Sequence, residues 1–160
     1  MPTVRWIRIV CCVTSLLLLE VNLSSAQSKD VAFPALPAGA GALAKDAPKQ
    51  FTQTASGLRY RVLRPGKGPL PKATDSVKVN YHGWLDNGKV FDSSYERKEP
   101  ISFPLNRVIK GWTEGMQLVG EGGMIELEIP AALGYGDRGA GRDIPGGAQL
   151  HFLVELLKVE

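Results

Sequence analysis

Val77-Lys78-Val79-Asn80-Tyr81-His82-Gly83-Trp84-Leu85-Asp86-Asn87-Gly88-Lys89-Val90-Phe91-Asp92-Ser93-Ser94 is the stretch that decides how this chain folds. Val77, Val79 and Tyr81 alternate with Lys78, Asn80 and His82, so the apolar set falls on one face of a strand. Asp86-Asn87-Gly88 follows, and Asn-Gly tolerates the positive φ that tight hairpins require. Val90-Phe91 then returns from the turn.

The same period-two pattern recurs on both sides. Upstream, Leu58, Tyr60 and Val62 alternate with Arg59, Arg61 and Arg64, which reads as a half-buried strand, and Pro65-Gly66-Lys67-Gly68-Pro69 ends it. Downstream, Ile101, Phe103 and Leu105 alternate after a charged loop, Tyr95 to Glu99. The period then lengthens: Val108, Trp112 and Met116 recur every four residues, which predicts one helix of two to three turns, stopped at Gly120-Glu121-Gly122-Gly123. Ile125, Leu127 and Ile129 form another strand, closed by Pro130. After a Gly-rich loop over 134–147, Leu150, Phe152, Val154 and Leu156 form the last. The expected fold is α+β: an antiparallel sheet of about five strands with one short helix covering a face.

The N-terminal third reads differently. Arg5 and Arg8 precede the almost wholly apolar run Ile9 to Leu19, and Ser24-Ser25-Ala26 offers small residues for a cut before Gln27. Residues 1–26 therefore read as a secretory signal, too short and too interrupted at Glu20 for a membrane span. Both cysteines, Cys11 and Cys12, lie in this leader, so the mature chain carries no thiol, as suits an oxidising compartment. Residues 27–50, rich in Ala, Pro and Gly without any period, read as a flexible tether to a domain at 51–160.

Composition excludes several chemistries. Net charge is only +3 with the basic residues scattered, so no stripe exists to track a nucleic-acid backbone. His82 and His151 each stand alone on a strand, and no spacing converges carboxylates or imidazoles into a metal site or triad. The glycines of the loop match no nucleotide-binding fingerprint. What remains is a set of aromatics at strand ends and beside the helix. Trp112 sits on the one helix that must cover the sheet, so its ring is a candidate floor for an apolar pocket, with Asp92 and Tyr135 as polar points around it.

The run Val77 to Ser94 resembles the core signature of FKBP-type peptidyl-prolyl cis-trans isomerases. So do Phe103-Pro104-Leu105, Val108-Ile109-Lys110-Gly111-Trp112-Thr113-Glu114-Gly115, Leu133-Gly134-Tyr135-Gly136, Ile144-Pro145 and Leu150 to Leu157, in order, over the whole predicted domain. The resemblance implies a curved antiparallel sheet wrapped on a short helix. It also implies a site in which Trp112 receives a proline ring, Tyr81, Phe91, Phe103, Val108 and Phe152 form walls, and Ile144 closes the rim. The backbone of Ile109 and the hydroxyl of Tyr135 would hold the peptide, with Asp92 near the twisting carbonyl. Ile101 belongs to the substrate-binding set, although some members carry Phe there, and Asp143 and Gly146 also depart from the family pattern.

By the same resemblance the activity is rotation of X–Pro bonds in exported polypeptides, with no metal and no cofactor. The alternative is a non-catalytic or chaperone module holding Pro-containing segments in the same pocket. Expected partners are Pro-containing segments and macrolide inhibitors of the family, with no nucleic acid, no membrane once the leader is cut, and a monomeric state. Expected localisation is the periplasm in a bacterium, otherwise the secretory pathway.

Overall fold

Strand pairing is antiparallel throughout the computed structural model, which describes residues 31–160. In chain order the elements are β1 (Thr52–Gln53), β2 (Arg59–Arg64), β3 (Ser76–Leu85), β4 (Val90–Ser93), α1 (Ser94–Arg97), β5 (Ile101–Pro104), α2 (Lys110–Met116), β6 (Met124–Ile129) and β7 (Leu150–Val159). The sheet runs β1-β2-β6-β7-β3-β4, with β5 also paired to β3.

Seven strands replace the five expected. The two additions are short: β1 has two residues and β4 has four, and β4 shares one edge of β3 with β5. Ser76 to Val79 pairs with β5 while His82 to Trp84 pairs with β4, and a register shift separates Gly83 from Trp84. The Asn87-Gly88 turn forms as read, with Gly88 at φ 79° and the Gly88 N–H donating to the Leu85 carbonyl at 2.8 Å. The charged loop after β4 is a helical turn, α1. Ser93 caps it by accepting from the Glu96 N–H, and Lys98 closes it in the left-handed region at φ 55°.

α2 spans seven residues and begins after Val108, which is extended. It lies on the sheet face formed by Ile125, Leu127 and Ile129 of β6 and Val77, Val79 and Tyr81 of β3, with Trp112 and Met116 buried between. Two glycines permit the close approach. A Cβ on Gly111 would lie 2.5 Å from Ile129 Cγ2, and one on Gly115 would lie 2.7 Å from Leu127 Cδ2.

The other face of the sheet is covered as well, against the half-buried expectation for β2. Leu63, Met124 and Leu153 are fully buried there, under Phe33, Ala40, Leu43 and Trp84. Residues 31–50, expected to be a flexible tether, form no helix or strand yet lie fixed along this face. Arg61, only 1% exposed, is the reason. Its Nε donates to Glu126 Oε2 at 2.6 Å, Nη1 to the carbonyls of Val31 and Lys49 at 2.8 and 2.9 Å, and Nη2 to that of Ala32 at 2.8 Å. The guanidinium also lies over the rings of Phe33 and Phe51. Further along, the Ala44 N–H donates to the Leu63 carbonyl, and the Gly41 N–H donates to Glu155. The leader read over 1–26, and residues 27–30, lie outside the described residues.

Candidate active site

A cavity of about 430 Å³ opens where α2 meets the β3–β4–β7 end of the sheet. Tyr81, Phe91, Asp92, Ile101, Phe103, Val108, Ile109, Trp112, Tyr135 and Phe152 line it, together with Arg107. Of the residues singled out in the sequence, the fold leaves one apart. Ile144, 9% exposed, is not among the lining residues, although it belongs to the same core cluster as Tyr81, Trp112 and Phe152.

Trp112 lies at the base, 5% exposed, with edge-on rings around it. Its centroid is 5.5 Å from Tyr81, 5.3 Å from Phe103 and 5.2 Å from Phe152, at interplanar angles of 86°, 64° and 87°. Edge-to-face packing on three sides fixes the indole orientation and leaves its remaining surface to the cavity. Phe91 packs edge-on against Phe152 in turn. Gly83 makes room for both, since a Cβ there would stand 2.7 Å from each ring. Gly83→Ala is expected to cost about 1–3 kcal/mol of stability and to shift Phe91 into the cavity. Unfolding midpoints and the ring positions in a structure of the variant check it, and an unmoved Phe91 would contradict the assigned wall.

The polar side of the cavity is a closed network. The Tyr81 hydroxyl donates to Asp92 Oδ2, Arg97 Nη1 donates to Asp92 Oδ1, and Arg97 Nη2 donates to the Tyr81 hydroxyl at 2.9 Å. Partial burial pushes the Asp92 carboxyl up, but the hydrogen bonds from Tyr81 and Arg97 outweigh it and hold the group below its ordinary range. Burial and the hydrogen bond to Asp92 push the Tyr81 phenol up, so it stays protonated. Asp92 is therefore a carboxylate and Tyr81 a neutral phenol across the neutral range.

Arg97 was absent from the sequence-based site. The signal was Ser93-x-x-Glu96, a capping-box pattern that starts a helical turn and carries Arg97 back over Asp92. Ser94 braces the arrangement from below, its Oγ accepting from the buried Tyr81 N–H at 2.8 Å. No sequence pattern marked Arg107.

Two groups at the mouth remain free to bind. The Ile109 N–H donates to no acceptor among the described residues, and the Tyr135 hydroxyl, on a residue 41% exposed, is likewise unpartnered there. Neither histidine lines the cavity. His82 hydrogen-bonds Ser93 Oγ, and His151 pairs with Asp86 at 2.6 Å and stacks on Trp84. Among the described residues no three His, Cys, Asp or Glu side chains converge to hold a metal.

A sheet folded on one short helix, with an aromatic cleft at its end, defines an FKBP-like domain. Residues 68–157 match the family described as FKBP-type peptidyl-prolyl cis-trans isomerase. The chain is 55% identical over 111 residues to a probable FKBP-type peptidyl-prolyl cis-trans isomerase of Haemophilus influenzae, covering 69% of this chain and 46% of that protein. The crystal structure of FkpA from Escherichia coli superposes with a TM-score of 0.67 at 49% identity, over 69% of this chain and 51% of that one. The crystal structure of AtFKBP13 superposes at 0.64 with 38% identity, over 69% of this chain and 99% of that one. This protein belongs to the FKBP-type peptidyl-prolyl cis-trans isomerase family. It spans about half the length of the curated relatives it matches.

Proposed function

We propose that this protein is a peptidyl-prolyl cis-trans isomerase that accelerates rotation of X–Pro bonds in polypeptides folding outside the cytoplasm. The observation that carries the reading is the cavity itself: a fixed indole ringed by aromatics, with one free N–H and one free phenol at its mouth.

Rotation about a peptide bond costs ~18–20 kcal/mol because the twisted form loses amide resonance. An X–Pro bond left to itself takes tens to hundreds of seconds. Turnover at an ordinary ~10²–10³ s⁻¹ asks for roughly 5–7 kcal/mol of differential stabilisation. The planar amide carries negative charge on oxygen, whereas the twisted one carries less. Transfer from water into an apolar cleft therefore costs the planar form more. A carboxylate at Asp92, beside the carbonyl, would add to that difference by repelling the polarised oxygen. The Ile109 N–H and the Tyr135 hydroxyl would hold the flanking backbone while the proline ring rests on Trp112. Nothing is transferred, so the reaction needs no acid, base or nucleophile.

Tyr135→Phe and Asp92→Asn keep side-chain volume and remove one polar function each. Each is expected to lower kcat/KM on X–Pro peptides by about tenfold: Tyr135→Phe through one lost hydrogen bond with little change in melting temperature, Asp92→Asn through loss of the carboxylate charge that Tyr81 and Arg97 hold in place. Wild-type activity should stay flat from about pH 5 to 9, because Asp92 titrates below the reference carboxyl pKa of ~4 and Tyr81 above the reference phenol value of ~10. Activity then falls only as acid protonates Asp92. A bell centred near pH 7 would contradict the absence of an acid–base pair. Failure of the wild-type chain to accelerate any X–Pro peptide would leave a module that only holds Pro-containing segments.

The export half of the proposal rests on the leader pattern of residues 1–26. Among the described residues no helix is long and apolar enough to cross a membrane. Intact mass of the protein from its host should correspond to a chain starting at Gln27. A species retaining Cys11 and Cys12 would overturn export by cleavage.

A further inference from the structure

The proposed active cavity has an unbalanced charge at its mouth. Asp92 is matched by Arg97, whereas Arg107, which lines the same cavity, is exposed and has no partner among the described residues. Lys110, also exposed and without a counter-ion there, follows one residue beyond Ile109. With Asp92 and Arg97 cancelling, the mouth carries net positive charge.

Arg107 is also firmly based. It ends a 3-10 turn, Leu105–Arg107, whose first residue is fully buried. The Leu105 N–H donates to the Asp75 carbonyl at 2.9 Å, and the Leu105 carbonyl accepts from Thr113 Oγ1 of α2 at 2.5 Å. The turn is thus tied to the core from two sides, and the free Ile109 N–H lies two residues further on. A peptide carbonyl bound at that N–H would bring its neighbouring side chains within reach of the guanidinium.

We infer that Arg107 is a specificity-determining residue that favours an acidic side chain next to the substrate proline. The inference rests on the isomerase reading and refines it. A guanidinium recognises a carboxylate through parallel N–H donors. Its exposure limits the gain to a few-fold, and salt screens it.

The test uses the full chain and two sets of short peptides, with Glu, Gln or Lys immediately before the proline or immediately after it. At low ionic strength the ratio of kcat/KM for Glu over Gln is expected to be about 3–5 at one of the two positions, and lowest for Lys. The ratio should fall towards one in high salt and in Arg107→Gln, and below one in Arg107→Glu. Because each ratio is taken within one variant, a general loss of activity or of folded protein cancels. A wild-type ratio near one at both positions, or a preference that survives Arg107→Gln, would overturn the inference alone. No acceleration of any peptide would overturn the isomerase reading and this inference with it.

Discussion

Arg61→Met is expected to lower the unfolding free energy by about 3–5 kcal/mol and to free residues 31–50 from the sheet. The substitution keeps much of the buried volume but strands Glu126, whose carboxylate loses the Nε–H donor 2.6 Å away, and it orphans the carbonyls of Val31, Ala32 and Lys49 together. Denaturant unfolding gives the loss, and limited proteolysis at Lys45 and Lys49 reports the release. Isomerase activity of the folded fraction should change little, because the cavity lies on the opposite face. The pH dependence has a definite sign. Burial already raises the Glu126 pKa, while Arg61 opposes that rise. Without Arg61 the folded-state pKa rises further above the unfolded value. The added penalty is then complete above the folded pKa and disappears as pH falls towards the unfolded pKa of ~4.3. The variant should accordingly be closer to wild type at pH 5 than at pH 8. An unchanged midpoint at neutral pH, or a destabilisation that grows in acid, would contradict the assigned role.

The second large effect falls on the cavity floor. Trp112→Ala removes the ring that touches Tyr81, Phe103 and Phe152, and large-to-small changes of this kind cost about 3–5 kcal/mol. Catalysis should suffer separately. A proline ring on an indole face hides on the order of 80 Å² of apolar surface, worth about 2 kcal/mol, so kcat/KM should fall about 30-fold beyond any loss of folded protein. Trp112→Phe separates the two effects, since it refills most of the volume with a smaller floor. Its stability should recover more than its activity. Equal recovery of both would mean that Trp112 acts as core alone.

How much of this was legible in the sequence differs between the two faces of the sheet. The inner face was legible because strands write their buried side every second residue, and Val77, Val79, Tyr81, Ile125, Leu127 and Ile129 do so. The hairpin followed from Asn87-Gly88, and the position of α2 from the spacing of Trp112 and Met116. β1 and β4 escaped a clean count because two to four residues carry too little period to separate a strand from a loop. Within the site, the rings and Asp92 were legible, whereas Arg97 and Arg107 were not. A cation at a cavity mouth looks in sequence like any other surface charge.

By itself, then, the sequence determined an α+β sheet with one short covering helix and the aromatic set that meets at its end. Tertiary structure decided which residues joined the cavity, leaving Ile144 off its lining and returning Arg97 to Asp92 through the helical turn α1. It also decided the fate of residues 31–50. That segment has no apolar period: of its side chains Phe33, Ala40 and Leu43 pack on the buried cluster, and much of the rest of its hold comes through backbone groups, from Arg61, Arg64 and Glu155 binding carbonyls and an N–H. Every sequence supplies those groups, so a segment docked by its main chain leaves almost no pattern in its side chains, and only the fold reveals where it lies.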